Sequence, residues 1–215
     1  MLPTDMRRTK EDAEKTRVAL LAAAEHLFME RGVAHTSLDQ IAREVGVTRG
    51  AVYWHFQNKA HLFNDMLNQV RLPAEQLAER LISCDRQLRN LRDLSIEAIN
   101  SLAQDQQRRR IFTILLHRCE FTEELREAEE RHHAFINEFI RVCEQLFASA
   151  EDQLQPGVTP RLAARALHGL IVGLFSDWTR DPALFDPPRD TAALLDSLFR
   201  GLVRNWDESG PTETA

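Results

Sequence analysis

The stretch Thr48-Arg49-Gly50-Ala51-Val52-Tyr53-Trp54-His55 holds the residues best equipped for chemistry in this 215-residue chain. Arg49 can make a bidentate contact to guanine O6 and N7 in the major groove of DNA. Gly50 lacks a side chain, so a helix bearing it can bring its backbone close to a partner. Tyr53, the sole tyrosine, can donate its hydroxyl to a phosphate while its ring packs. Ala51 and Trp54 complete the set expected to meet DNA. Thr36, Ser37, Thr48, His55 and Lys59 suit phosphate oxygens, together with the amides at two helix N-termini. A small helical subdomain with a Tyr-Trp-His-Phe core would satisfy the same spacing.

Those side chains need two short crossed helices, and local signals supply them. Ser37 to Val45 reads as a helix capped by Thr36 or Ser37, with Gln40 where a capping box headed by Ser37 wants it. Gly46 stops it, where a positive φ is wanted. Thr48 caps the next helix, to about His55. Small Ala42 lies where the two cross, and Ile41, Val47 and Val52 fix the crossing. This is the helix-turn-helix pattern, with the Thr48–His55 segment as the reading helix. A first helix over Glu11–Arg31, with Val18, Leu21, Ala24 and Phe28 as its stripe, ends at Gly32. Asn58 caps a fourth helix, which Pro73 ends or kinks before Leu77, Leu81 and Ile82 continue its stripe.

The rest of the chain is also helical: about 86–105, 108–119, 122–150, 160–180 and 189–206, making about nine helices and no sheet. An all-α protein follows, with a head over residues 1–71, a body over 72–206 and a disordered tail over 207–215. Charge divides the same way. Residues 1–71 hold ten Lys and Arg against nine Asp and Glu, and residues 72–215 hold seventeen against twenty-four. All three lysines lie in the first 59 residues. Nucleic acid therefore fits the head and not the body, despite a net charge of −6.

Other classes find little support. No Gly-rich phosphate loop, Gly-x-Ser-x-Gly elbow or His-Glu-x-x-His is present, so neither an enzyme nor a cofactor is expected. His132 and His133 are adjacent and point about 100° apart on a helix, so they cannot clasp one metal ion. Cys84, Cys119 and Cys143 are scattered and fit a reducing cytoplasm. Leu167–Phe175 is too short to span a bilayer, and MLPTDMRRTK has no apolar leader region, so no membrane association is expected.

Arg7 to Phe63, and above all T-R-G-A-V-Y-W-H-F-x-N-K from Thr48 to Lys59, resembles the DNA-binding domain of the TetR family of transcriptional regulators. The similarity is greatest to repressors of multidrug efflux pumps, the AcrR and TtgR type. Arg109-Arg110-Ile111, His117-Arg118-Cys119-Glu120-Phe121, Gly173–Trp178 and Phe185-Asp186 add to it. The resemblance implies a homodimeric repressor on a palindromic operator. Thr48, Arg49, Gly50, Tyr53 and His55 would sit on its recognition helix, and Lys59 would contact phosphate. A TetR-type regulator of a metabolic or catabolic operon, answering to an acyl or aromatic metabolite, is the alternative.

The resemblance also implies a ligand pocket among the middle helices. Phe112, Leu115 and Leu116 on the sixth helix can face Phe135 and Phe139 on the seventh, closed by His168, Ile171, Val172 and Phe175 on the eighth. Such a lining implies an apolar or aromatic small-molecule inducer with few hydrogen bonds. On the last two helices, Leu162, Ala166, Gly169, Leu170, Gly173, Leu174 and Trp178 share apolar faces with Leu195, Leu198, Phe199, Leu202 and Trp206. These faces can bury inside one subunit or pair across a two-fold axis in a four-helix bundle. The resemblance implies the second. A ligand favouring the wrong head spacing would then release DNA, with the Pro73 segment as the joint.

Overall fold

The computed structural model describes residues 3–70, 88–184 and 186–207, with only the backbone of 3–9 and of residue 102. Among these it forms nine α-helices: α1 Pro3–Arg31, α2 Leu38–Val45, α3 Arg49–His55, α4 Lys59–Asn68, α5 Leu88–Gln104, α6 Gln106–Thr113, α7 Arg126–Ala148, α8 Pro160–Arg180 and α9 Pro187–Leu202. None is long and apolar enough to cross a membrane. Pro73, the continuation to Ile82 and most of the expected tail lie outside the described residues.

The chain divides into two compact units. The first joins Met1–Val70 to Arg110–Arg131, and the second joins Arg71–Arg109 to His132–Ala215. The first unit thus adds the Arg110–Arg131 segment to the N-terminal helices. Its core explains why: Ile111, Ile114, Leu115, Leu125 and Ala128 pack in one buried cluster with Leu20, Leu27, Phe28, Ile41, Val52 and Phe63. Val18, expected on the buried stripe, is 52% exposed. The rest of the expected stripe, Leu21, Ala24 and Phe28, is buried, with Leu20 and Leu27 beside it.

Polar ties hold the added segment. Val33 N donates to Arg118 O at 2.8 Å, and Arg110 pairs with the buried carboxylate of Glu25. Between them the sixth helix changes pitch, and Ile114–Arg118 forms a single π-helical turn. Such turns insert an extra residue and re-aim the chain. A 3-10 turn at Glu123–Leu125 then leads into α7.

In the second unit α9 packs on α5 and α8. Arg92 makes a paired contact to Asp196 at 2.9 and 2.7 Å. Trp206 Nε1 donates to the same carboxylate at 3.2 Å. The helix ends at Leu202, short of the expected 206. Trp206 thus folds back from beyond the helix and stacks on Phe199 at 4.6 Å between centroids.

Candidate nucleic-acid interface

The α2–turn–α3 unit is built by the residues that cap it. Ser37 Oγ accepts from Gln40 N at 3.3 Å, while Gln40 Oε1 accepts from Ser37 N at 2.7 Å. This reciprocal pair satisfies two otherwise orphaned amides. Gly46 takes φ +75° after α2, a conformation that glycine adopts without strain. Val47 N then donates to Ala42 O at 3.0 Å, turning the chain toward Thr48. Thr48 Oγ1 accepts from Ala51 N at 3.2 Å and starts α3.

Burial sorts the residues of α3. Val52 and, just beyond it, Phe56 are fully buried and seat the helix. Arg49, Gly50, Tyr53 and Trp54 face outward, and Ala51 is half-buried. Trp54 is 73% exposed and Tyr53 45%. Both rings are thus available on the outward side of the helix. The Trp54 and His55 rings meet edge to face at 4.6 Å. Burial, and secondarily nearby Arg17, lowers the His55 pKa below its ordinary value.

The outward side of α3 borders a groove of about 510 Å³ lined by Ser37, Asp39, Arg49, Tyr53, Gln57 and Asn58, among others. Arg49 is already engaged there. Its Cζ lies 5.3 Å from the Tyr53 ring centre, and its Nη2 donates to Tyr53 Oη at 3.3 Å. Its Nε lies 3.2 Å from Asp39 Oδ1 on α2. Asp39 was invisible to sequence reasoning. An acid in a helix's first turn looks like an ordinary dipole partner, and only the α2–α3 crossing brings it to Arg49.

Two expected phosphate ligands point inward instead. Lys59 is only 5% exposed. Its Nζ donates to Val33 O at 3.1 Å and Thr36 O at 3.2 Å, and lies 2.9 Å from Glu124 Oε2. Thr36 is also buried, its hydroxyl donating to Gly32 O at 2.9 Å. Lys59 is thus fastened both to the α1–α2 loop and to the Arg110–Arg131 segment.

The expected ligand residues divide between the units. In the first, Phe112 is buried and Leu116 half-buried, while Leu115 belongs to the core cluster and so is no free wall. In the second, Phe139, Ile171 and Phe175 are buried, and Phe135 and His168 half-buried. The His168 ring lies 6.2 Å from that of Phe139. Val172 points away, 37% exposed, because α8 buries the opposite side through Ala164, Leu167, Ile171 and Phe175.

The expected subunit face also needs correction. Leu195, Phe199, Leu202 and Trp206 are buried within their own unit, and so is Trp178, whose ring has Arg109 Cζ 5.5 Å from its centre. The outward residues are different. Leu162, Gly169 and Gly173 are exposed, and Ala166, Leu170, Leu174 and Leu198 half-buried.

A helix-turn-helix with an exposed Arg-Tyr-Trp face joined to a helical body defines a class, and comparison with known proteins places the chain in it. Residues 20–66 match the bacterial regulatory proteins of the tetR family, and residues 86–204 match the C-terminal region of MAATS-type transcriptional repressors. The chain belongs to this family of transcriptional regulators, with the C-terminal region of a MAATS-type repressor. It is similar to NalD, described as the secondary repressor of the MexAB-OprM multidrug efflux pump in Pseudomonas aeruginosa. The two are 66% identical, with a TM-score of 0.84, over 91% of this chain and 100% of that one. It is 36% identical to the transcriptional regulator TtgR of Pseudomonas putida, over 95% of this chain and 94% of the relative. A complex of SmeT with triclosan gives 34% identity and a TM-score of 0.73, over 89% of this chain and 93% of that one. SmeT is described as the repressor of a multidrug efflux pump of Stenotrophomonas maltophilia.

Proposed function

We propose that this chain binds a palindromic operator as a homodimer, holds a multidrug efflux pump operon silent, and leaves the operator when an apolar or aromatic small molecule binds. The outward Arg49, Tyr53 and Trp54 on a helix seated by Val52 and Phe56 carry the reading. Similarity to NalD and SmeT supports the pump as target and an apolar inducer as signal. Phe139, Phe175 and His168 are the inducer's candidate contacts in the second unit. Leu162, Ala166, Gly169, Leu170, Gly173, Leu174 and Leu198 are the candidate subunit face, since they are the expected residues left outward. Two recognition helices must then lie about 34–36 Å apart to enter successive major grooves.

Footprinting on the DNA upstream of its own gene, with and without triclosan and a panel of dyes and antibiotics, tests this. A protected palindrome that vanishes with an apolar compound is the expected result. Protection that answers only to acyl or aromatic metabolites moves the target to a metabolic operon, and no protection rejects the reading.

A further inference from the structure

Arg49 bears the charge expected to read a base, yet an acid sits against it. Both side chains reach solvent, Arg49 67% and Asp39 45% exposed, but one carboxylate oxygen is turned inward. Asp39 Oδ1 is shielded from solvent and lacks a well-aligned hydrogen bond, so its compensation is the guanidinium 3.2 Å away. Tyr53 Oη takes one N–H of Nη2. A guanidinium has five N–H donors in a rigid fork. With Nε facing Asp39 and one Nη2 donor on Tyr53, the Nη1–Nη2 end remains open. That end presents the two parallel donors that a guanine O6/N7 edge accepts.

We propose that Asp39 is a positioning residue that sets the preference for operator over random DNA by holding Arg49 end-on. Its effect has two parts. Random DNA is held by phosphate contacts made wherever a flexible cation can reach. Asp39 restrains Arg49 from swinging to a phosphate and adds a negative charge on the DNA-facing side, so random binding weakens. A guanine edge approached end-on leaves the Arg49–Asp39 contact in place, and the restraint is then preorganisation. The inference rests on α3 being the reading helix.

The test uses the full-length protein, a duplex carrying its own operator and a scrambled duplex of equal length, titrated at several salt concentrations. Asp39→Asn keeps the shape and removes the charge. Random-duplex affinity is expected to rise about tenfold, one weak ionic contact in each of two heads, with a steeper salt slope. Operator affinity is expected to change about threefold or less, because the lost restraint offsets the lost repulsion. The operator-to-random ratio therefore falls. Asp39→Glu restores part of it, and in an Arg49→Ala background Asp39→Asn leaves the ratio unmoved. An unchanged ratio in Asp39→Asn overturns the proposal. So does an equal fall in the Arg49→Ala background, which reduces Asp39 to a general repulsive charge. Circular dichroism establishes that each variant is folded, and Asp39→Ser is the substitute should the Asn variant fail. The α3 reading fails separately, when Arg49→Ala itself leaves operator affinity unchanged.

Discussion

Replacing Lys59 with Met separates two roles for one residue. The methionine retains an apolar stem of similar length and removes the ammonium. In the folded head that ammonium serves Val33 O and Thr36 O and faces Glu124, in a side chain 5% exposed. The substitution leaves two inward carbonyls without this donor, at a cost of about 1–3 kcal/mol for each that water cannot reach. The Glu124 carboxylate is half exposed, so the ion pair adds less than about 1 kcal/mol. Partial access of water to the loop brings the total to about 2–4 kcal/mol. For a chain of this size that lowers Tm by roughly 4–16 °C. Thermal unfolding followed by circular dichroism measures it. Glu124→Gln, which keeps both carbonyl bonds, is expected to shift Tm far less. A Met variant melting within a degree or so of the parent, but binding operator with a shallower salt dependence, refutes the reasoning. That result would return Lys59 to the phosphate contact expected from its family position.

Arg49→Ala is expected to weaken operator binding by at least about tenfold, since a bidentate base contact is worth about 1–3 kcal/mol, while light scattering shows the same oligomer as the parent. Gly46→Ala places a side chain at φ +75°, where a Cβ meets no atom within 4 Å. The cost is backbone strain alone, about 1 kcal/mol by denaturant unfolding. A neutral outcome there would remove the left-handed turn from the account. Acid should destabilise the second unit through two histidines. Burial first, then His133 and His168, lowers the His132 pKa; burial first, then Arg165, lowers that of His168. The unfolded chain therefore takes up protons as pH drops through the ordinary histidine value of 6.5, while the folded chain resists. Their contribution is complete above that pH and is lost below it. A melting series from about pH 7.5 to 5.5 should fall less steeply for His132→Gln/His168→Asn than for the parent. Parallel curves would show that these groups do not control acid stability.

The helix-turn-helix was legible because its signals are local. Ser37 with Gln40, Gly46 and Thr48 act within a few residues of themselves, and each cap forms where the spacing placed it. What sequence could not supply were the partners brought from afar. Lys59 reads as a solvent cation until Glu124 and the Arg110–Arg131 segment are seen beside it. Leu115 reads as pocket wall until Ile111, Ile114 and Leu125 join it in the head's core. On α8 and α9 the apolar faces are wide, and periodicity does not say which part a neighbouring helix covers. Packing on α5 takes Leu195, Phe199 and Leu202 inward and leaves Leu198 half-buried. Trp206 looked like one more helical turn, yet its bond to Asp196 and stack on Phe199 belong to chain that has left the helix.

The claim that α3 reads operator DNA under control of an apolar ligand meets its most direct test in one titration. Fluorescence anisotropy of a labelled duplex from the chain's own upstream region is followed with parent protein, with Arg49→Ala, and with parent plus triclosan. The account predicts tight, salt-sensitive binding by the parent that scrambled DNA does not reproduce, a reduced preference in Arg49→Ala, and release by the ligand. Equal binding of operator and scrambled DNA by the parent would contradict it.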